Sequence, residues 1–213
     1  GGGIFDESIR DMATTKAKKT ALQSVKGMRD LLPEDQAVWE KIRKVTRDLG
    51  EDYNFMRIDT PLVESAALFE RGVGESSDIV EKQMYSIRSK DDAALILRPE
   101  FTAPVVRAYI EHGMSHMSQP VKLYYIGSLY RYEQPQEGRY REFYQNGFEM
   151  IGGESDPLYD AQMIMIAYRF LEEMKIGKVM AQVNSIGCRQ CRPLYRKKLM
   201  DYYKSKPACK TCK

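Results

Sequence analysis

Two runs rich in Tyr, Phe and Ile, Val121–Tyr132 and Phe143–Ile151, flank the polar stretch Glu133–Arg141, which carries Pro135 and Gly138. Aromatic and β-branched residues favour strands, and a polar interruption holding proline and glycine favours a loop. The pattern predicts a long-looped antiparallel hairpin. That commits the chain to strands joined without a helical crossover.

The flanking sequence supplies helices and short strands. Val38, Trp39, Ile42, Val45 and Leu49 recur at helical spacing between charges, which predicts an amphipathic helix over Pro33–Gly50 closed by Gly50. Asn54–Val63 reads as extended, because Phe55, Met56 and Ile58 lead into Thr60-Pro61 and a proline pushes its predecessor out of helical space. Leu95–Leu97 predicts a short strand ended by Arg98-Pro99, and Thr102–Glu111 a helix through Val105, Val106, Tyr109 and Ile110. Asp160–Met174 predicts a helix with a stripe of Met163, Ile164, Ile166, Ala167, Phe170 and Leu171, and Val179–Val183 a further strand. Helix, strand, strand, helix, hairpin, helix, strand implies an α+β fold with an antiparallel sheet flanked by helices.

With 213 residues, 43% of them hydrophobic, the chain can bury a substantial core; a domain of roughly 150 residues already hides about two-thirds of its unfolded surface. The 33 Lys and Arg against 30 Asp and Glu exclude a polycationic coat, so nucleic acid must meet a local patch. The longest apolar stretches, such as Met163–Tyr168, fall far short of the roughly 20 residues that span a bilayer, and no signal segment opens the chain, so a soluble cytoplasmic protein is expected. Both ends read as accidental. Met12 is the expected initiator, residues 1–24 the expected disordered or non-native start, and Lys213 follows directly on a Cys-x-x-Cys pair, as a truncation does.

The chemistry concentrates in the hairpin. Strand alternation puts Arg131 and Glu133 on one face of the first arm and Arg139, Arg141 and Phe143 on one face of the second, and antiparallel pairing joins the two sets. Three guanidiniums with one carboxylate are hard to explain as packing, because unpaired arginines repel and are costly to bury. They suit a nucleoside triphosphate, with forked donors for phosphate and a ring for adenine. A solvated charged hairpin is the alternative the residues leave open.

The pattern Arg-x-Glu, loop, Arg-x-x-x-Phe resembles motif 2 of the class II aminoacyl-tRNA synthetases, and the string from Arg131 to Glu149 resembles the histidyl-tRNA synthetase version. The resemblance implies that Arg131, the catalytic candidate, contacts the α-phosphate and the amino-acid carboxylate. Glu133 then helps position adenine, Arg139 reaches the outer phosphates, and Phe143 stacks on adenine. Gln145 and Glu149 line the amino-acid pocket, with Glu149 facing the imidazole; a carboxylate left unpaired rejects side chains that lack its donor. Gln134, Gln136 and Arg141 are implied to meet tRNA, although Gln134 replaces an arginine seen in some members.

Leu97-Arg98-Pro99-Glu100-Phe101-Thr102-Ala103-Pro104 resembles the turn that binds the substrate's α-ammonium group in this family, which assigns Glu100, Phe101 and Thr102 to the histidine site; Phe101 replaces a frequent glycine. Read without the family, Glu100 and Thr102 are first-turn capping residues. Lys26–Pro33 resembles the family's opening segment, and Tyr53–Glu64 resembles motif 1, which implies a two-fold homodimer. The resemblance covers residues 25–195, with 25–184 the front part of a catalytic domain and 185–213 the start of an inserted domain. Motif 3 and the anticodon-binding domain are expected beyond Lys213, which leaves the sheet incomplete and the fragment inactive alone. ATP with magnesium, histidine and tRNA are the implied substrates.

Cys188-x-x-Cys191 and Cys209-x-x-Cys212 have the spacing of a four-thiolate zinc site. Arg189, Arg192, Arg196, Lys197, Lys198, Lys204 and Lys206 lie between them with Tyr195, Tyr202 and Tyr203, a composition that suits RNA. A solvated helix face beside free thiols is the alternative. His112 and His116 are expected in a surface loop. Two other readings remain open: a noncatalytic histidine-binding paralogue, the regulatory subunit of ATP phosphoribosyltransferase, and a zinc-stabilised RNA-binding module.

Overall fold

The computed structural model describes residues 22–73, 84–88, 93–184 and 187–205. The expected disordered start therefore lies almost wholly outside the described residues, as do Cys209 and Cys212. The chain divides into two compact units, Gly1–Met163 and Ile164–Lys213.

In the first unit a single turn of 3-10 helix at Pro33–Asp35 leads into helix α1, Gln36–Asp52. Strands β1 (Met56–Arg57) and β2 (Val63–Ser65) precede helix α2 (Ala66–Val73), and strands β3 (Tyr85–Arg88) and β4 (Ala94–Leu97) precede helix α3 (Thr102–Glu111). The hairpin strands are β5 (Val121–Tyr130) and β6 (Glu142–Ile151). One sheet has the order β1-β5-β6, with β1 parallel to β5 and β6 antiparallel to it; the other has the antiparallel order β2-β4-β3. The α+β class holds, with one parallel pair among antiparallel ones.

Helix α1 does not stop at Gly50. It runs to Asp52 and closes on Asn54, whose left-handed backbone (φ 59°) lets the Phe55 amide reach Gly50 O at 2.7 Å and the Asn54 amide reach Glu51 O at 3.2 Å. Gly50 serves contact instead. A Cβ there would lie 2.7 Å from the Tyr124 ring, so the glycine lets helix and strand touch.

The even-numbered side chains of β5 and β6 meet α1: Trp39 packs on Tyr144 at 4.5 Å between ring centroids, and the Asn146 side-chain amide donates to Thr46 Oγ1 at 3.2 Å. The odd-numbered face packs a core of Phe101, Val105, Val121, Leu123, Tyr125 and Leu129. Burial of β5 on both faces explains its run of apolar and aromatic residues. Arg107 of α3 pairs with the buried Glu64 of β2 at 2.7 Å, and that bond raises the Arg107 pKa above its ordinary value.

Two expectations need correction. The first strand stops at Tyr130 rather than reaching Tyr132, while the second begins at Glu142, since beyond Arg131 and Arg141 only the bridge between Gln136 and Arg139 survives; Pro135, just before that bridge, has no amide to donate. Val179–Val183 is no strand: Met180 and Val183 are exposed, and no strand among the described residues pairs with it. His112, which caps α3, and His116, in a 3-10 turn, are both exposed in the connection after α3, as expected. Helix α4 is Pro157–Glu173, and helix α5, Cys191–Ser205, is exposed at every residue.

Candidate active site

The hairpin register builds the site. Leu123 pairs with Glu149, Tyr125 with Gly147, Gly127 with Gln145 and Leu129 with Phe143, and the Arg131 amide bonds Arg141 O at 2.8 Å. Opposed residues share a face, so Arg131, Phe143, Gln145 and Glu149 stand along one side of the sheet. From Phe143 to Glu149 this row spans roughly 20 Å at the usual strand rise.

Glu149 anchors one end. Its Oε1 accepts from Thr102 Oγ1 at 2.8 Å and from Tyr125 Oη at 3.1 Å, which joins the start of α3 to the sheet. Burial, together with the Glu149 charge, pushes the Tyr125 phenol well above the tyrosine range and keeps it a donor. Gly147 opposite makes room, since a Cβ there would lie 2.4 Å from the Tyr125 oxygen.

The turn before α3 holds Glu100, whose carboxylate accepts the amides of Thr102 at 2.6 Å and Ala103 at 2.8 Å. This is the capping role, with a negative charge at the helix's positive end. Phe101 is 2% exposed and stacks on Tyr125 at 4.1 Å, so it backs the pocket wall from inside the core and offers no ligand a surface.

Arg131 stands further along the row. Its Nε donates to Pro99 O at 3.0 Å and its guanidinium lies 5.2 Å from the Phe143 ring, while neither terminal nitrogen has a bond among the described residues. At the hairpin tip Arg139, two-thirds exposed, lies 3.7 Å from Glu133. Arg141 is spent internally: Nε bonds Glu133 O at 3.0 Å, the guanidinium covers Tyr132, and the backbone amide reaches Gly27 O at 2.7 Å. These contacts tie Arg141 to the hairpin loop and to the segment before α1. Gln134 and Gln136 are exposed on the loop.

Two residues of the site escaped the sequence reading. Tyr125 was hidden in an apolar strand, with only the opposing Gly147 as a signal. Arg98 looked like the end of a strand, yet it is 7% exposed, and burial lowers its pKa below the ordinary arginine value.

The sequence model described as histidyl-tRNA synthetase matches residues 27–188. The chain belongs to that family. It is 50% identical over 181 residues to a histidine–tRNA ligase of Dehalococcoides mccartyi, covering 85% of this chain and 43% of that one, and 45% identical over 190 residues to one of Desulforudis audaxviator, covering 88% and 45%. The chain thus spans less than half the length of these histidyl-tRNA synthetase relatives. Among solved structures it resembles apo S. aureus histidyl-tRNA synthetase, with a TM-score of 0.70 at 35% identity over 86% of this chain and 42% of that one. It also resembles a Bacillus halodurans protein described as an ATP phosphoribosyltransferase regulatory subunit/histidyl-tRNA synthetase, with a TM-score of 0.63 at 26% identity over 76% and 40%. No helix among the described residues is long and apolar enough to cross a membrane.

In the second unit the Cys188 and Cys191 sulfurs lie 3.4 Å apart, and the Cys188 amide donates to Cys191 Sγ at 3.0 Å. Backbone hydrogen bonding at Cys191 lowers the Cys188 pKa. Among the described residues no group of three or more His, Cys, Asp or Glu could hold a metal. Arg189, Arg192, Arg196, Lys197 and Lys204 line an open groove on α5 with Asp201 as their acidic neighbour.

Proposed function

We propose that the chain carries the ATP- and histidine-binding face of an enzyme that attaches histidine to its tRNA. The observation that carries this reading is the single row from Arg131 through Phe143 and Gln145 to Glu149, with Thr102 bonded to its far end. A row of roughly 20 Å suits an amino acid joined end to end with a nucleotide.

Histidine sits at the Glu149 end, its imidazole N–H donating to the carboxylate that Thr102 and Tyr125 hold in place. Its α-ammonium group meets Glu100 and Thr102, and Gln145 lines the same pocket. ATP enters as its magnesium complex, adenine on Phe143 beside Glu133 and the outer phosphates toward Arg139. The histidine carboxylate attacks the α-phosphorus, the bond to the bridging oxygen breaks, and pyrophosphate leaves. Arg131 spreads the charge that develops there, with Nε already committed to Pro99 and both terminal nitrogens free for oxygens. A hydroxyl of the terminal ribose of tRNA then attacks the carbonyl and releases AMP.

The finer assignments follow the same reading. Residues 25–184 form the front of the catalytic domain and 185–213 open an inserted module. Gln134 and Gln136 meet the tRNA end. The protein works as a cytoplasmic homodimer paired through Tyr53–Glu64. Cys188 and Cys191, already 3.4 Å apart, provide half of a zinc site that Cys209 and Cys212 complete, since four thiolates at this spacing fit tetrahedral zinc.

Replacing Arg131 by Ala in the full-length enzyme is expected to cut ATP–pyrophosphate exchange by at least about 100-fold, as removal of a transition-state donor does. Near-normal exchange refutes the reading. A second reading, a regulatory histidine-binding paralogue, draws on the likeness to the Bacillus halodurans protein. It predicts histidine binding without exchange, against the presence here of Arg131, Glu133, Arg139 and Phe143 together.

A further inference from the structure

Arg98 is a buried cation with no carboxylate in contact among the described residues. Its Nε donates to Ser128 O at 3.1 Å, its Nη1 to Thr60 O at 2.6 Å with Pro61 O at 3.4 Å, and the Phe101 ring lies 4.1 Å from its guanidinium carbon. No ion pair among the described residues includes it. Desolvating a guanidinium with no carboxylate in contact is a costly way to fill space: the Asp59 and Glu64 charges act on it from beyond salt-bridge distance and offset its burial only in part, so its pKa stays below the ordinary arginine value. A thioether or aliphatic side chain fills volume at less cost.

What the cation supplies is geometry. Its planar fork reaches β5 and the β1–β2 connection at once, which a single ammonium point charge does less well. The backbone of the same residue extends the tie: the Arg98 amide donates to Leu62 O at 3.0 Å, and Arg98 O accepts the Tyr130 amide at 3.1 Å. The next carbonyl along is Pro99 O, and that oxygen holds Arg131 Nε at 3.0 Å.

We propose that Arg98 is a positioning residue for adenylate formation, locking the end of β4 against β5 and the β1–β2 connection so that Pro99 fixes the Arg131 guanidinium. This rests on the role given to Arg131 above. Gly127 supplies independent support. Its φ is not positive, so its backbone does not demand glycine; a Cβ there would instead lie 2.8 Å from Arg98 Nη2 and 3.0 Å from Phe101 Cζ. The strand gives up a side chain to let this guanidinium pass.

The test uses ATP–pyrophosphate exchange by the full-length enzyme, with thermal unfolding to confirm that each variant folds. Arg98→Lys keeps the charge and loses the fork; kcat is expected to fall about 30-fold with KM for histidine and ATP changed less than about threefold, since a small misplacement of a catalytic group costs rate more than binding. Gly127→Ala presses on the same guanidinium from β5 and is expected to lower kcat about tenfold. Adding Arg98→Lys to Arg131→Lys is expected to cost less than about twofold more, because a residue that acts through another loses its effect when that other is changed. A full second loss in the double variant, or wild-type kcat in a folded Arg98→Lys, overturns the proposal. If Arg98→Lys fails to fold, Gly127→Ala alone and in the Arg131→Lys background decides by the same outcomes. Near-normal exchange in Arg131→Ala sinks the functional reading itself, whereas an inert Arg131→Ala beside an unaffected Arg98→Lys sinks only this inference.

Discussion

The two ends of the hairpin's binding face are built on opposite plans. Around Glu149 the ladder is continuous from Val121 paired with Ile151 to Tyr130 paired with Glu142, and the carboxylate is held by hydroxyls from two different elements. Around Glu133 and Arg139 one isolated bridge remains, the ion pair is 3.7 Å long, and Arg139 is two-thirds exposed. Selecting one side chain requires acceptors fixed before the ligand arrives, because a group that can swing away does not penalise the wrong one. Phosphates need only charge within reach, and exposed arginines supply it with little built-in order. The first end is therefore expected to govern which amino acid enters, and the second how ATP is held.

The largest effect tests the first half of that division. Glu149→Gln keeps the shape and removes the charge, so kcat/KM for histidine in exchange is expected to fall about 1,000-fold or more, as it does when a polar recognition contact is lost in a closed site. KM for ATP should stay within about threefold. An equal loss on both substrates means the face is one unit and the contrast between its ends is wrong.

Tyr125→Phe probes the same end more gently. The ring keeps its stack on Phe101 while Glu149 loses one of two donors. A hydrogen bond to a charged group is worth about 1.5–3 kcal/mol, so kcat/KM for histidine is expected to drop about tenfold to 100-fold with ATP unaffected. An unchanged value shows that Thr102 alone orients the carboxylate.

The contrast also marks what could be read from the sequence. The hairpin was legible from two aromatic and β-branched runs around a polar loop with proline and glycine, and α1 and α3 from their apolar spacing. The row of Arg131, Phe143, Gln145 and Glu149 followed from alternation along the two paired arms together with the motif resemblance. Burial was not legible. Phe101 sits at a ligand-binding position in the motif, and only tertiary packing shows it turned into the core behind Tyr125. Arg141 alternates onto the same face as Arg131, but its Nε is taken by Glu133 O, its guanidinium covers Tyr132, and its backbone amide is held by Gly27, over a hundred residues away. Arg98 carried no sign of burial, since nothing in a strand-ending Arg-Pro reveals which carbonyls will converge on it. Gly50 was read as a helix stop because glycine commonly serves there, while its use here, contact with Tyr124, depends on a strand 74 residues later.

The smallest effect tests the loose end. Arg139→Ala removes an exposed side chain whose pairing with Glu133 is long, and such pairs contribute about 0–1 kcal/mol, so the urea unfolding midpoint is expected to stay where it is. KM for ATP should rise a few-fold, because one of several phosphate-facing charges is gone, and the rise should shrink as salt is added and screening weakens what that charge contributed. KM for histidine should not move. A shift in histidine KM comparable to that for ATP places Arg139 in communication with the Glu149 end, and the tip is then a structural member of the pocket rather than a separate arm that closes on phosphate.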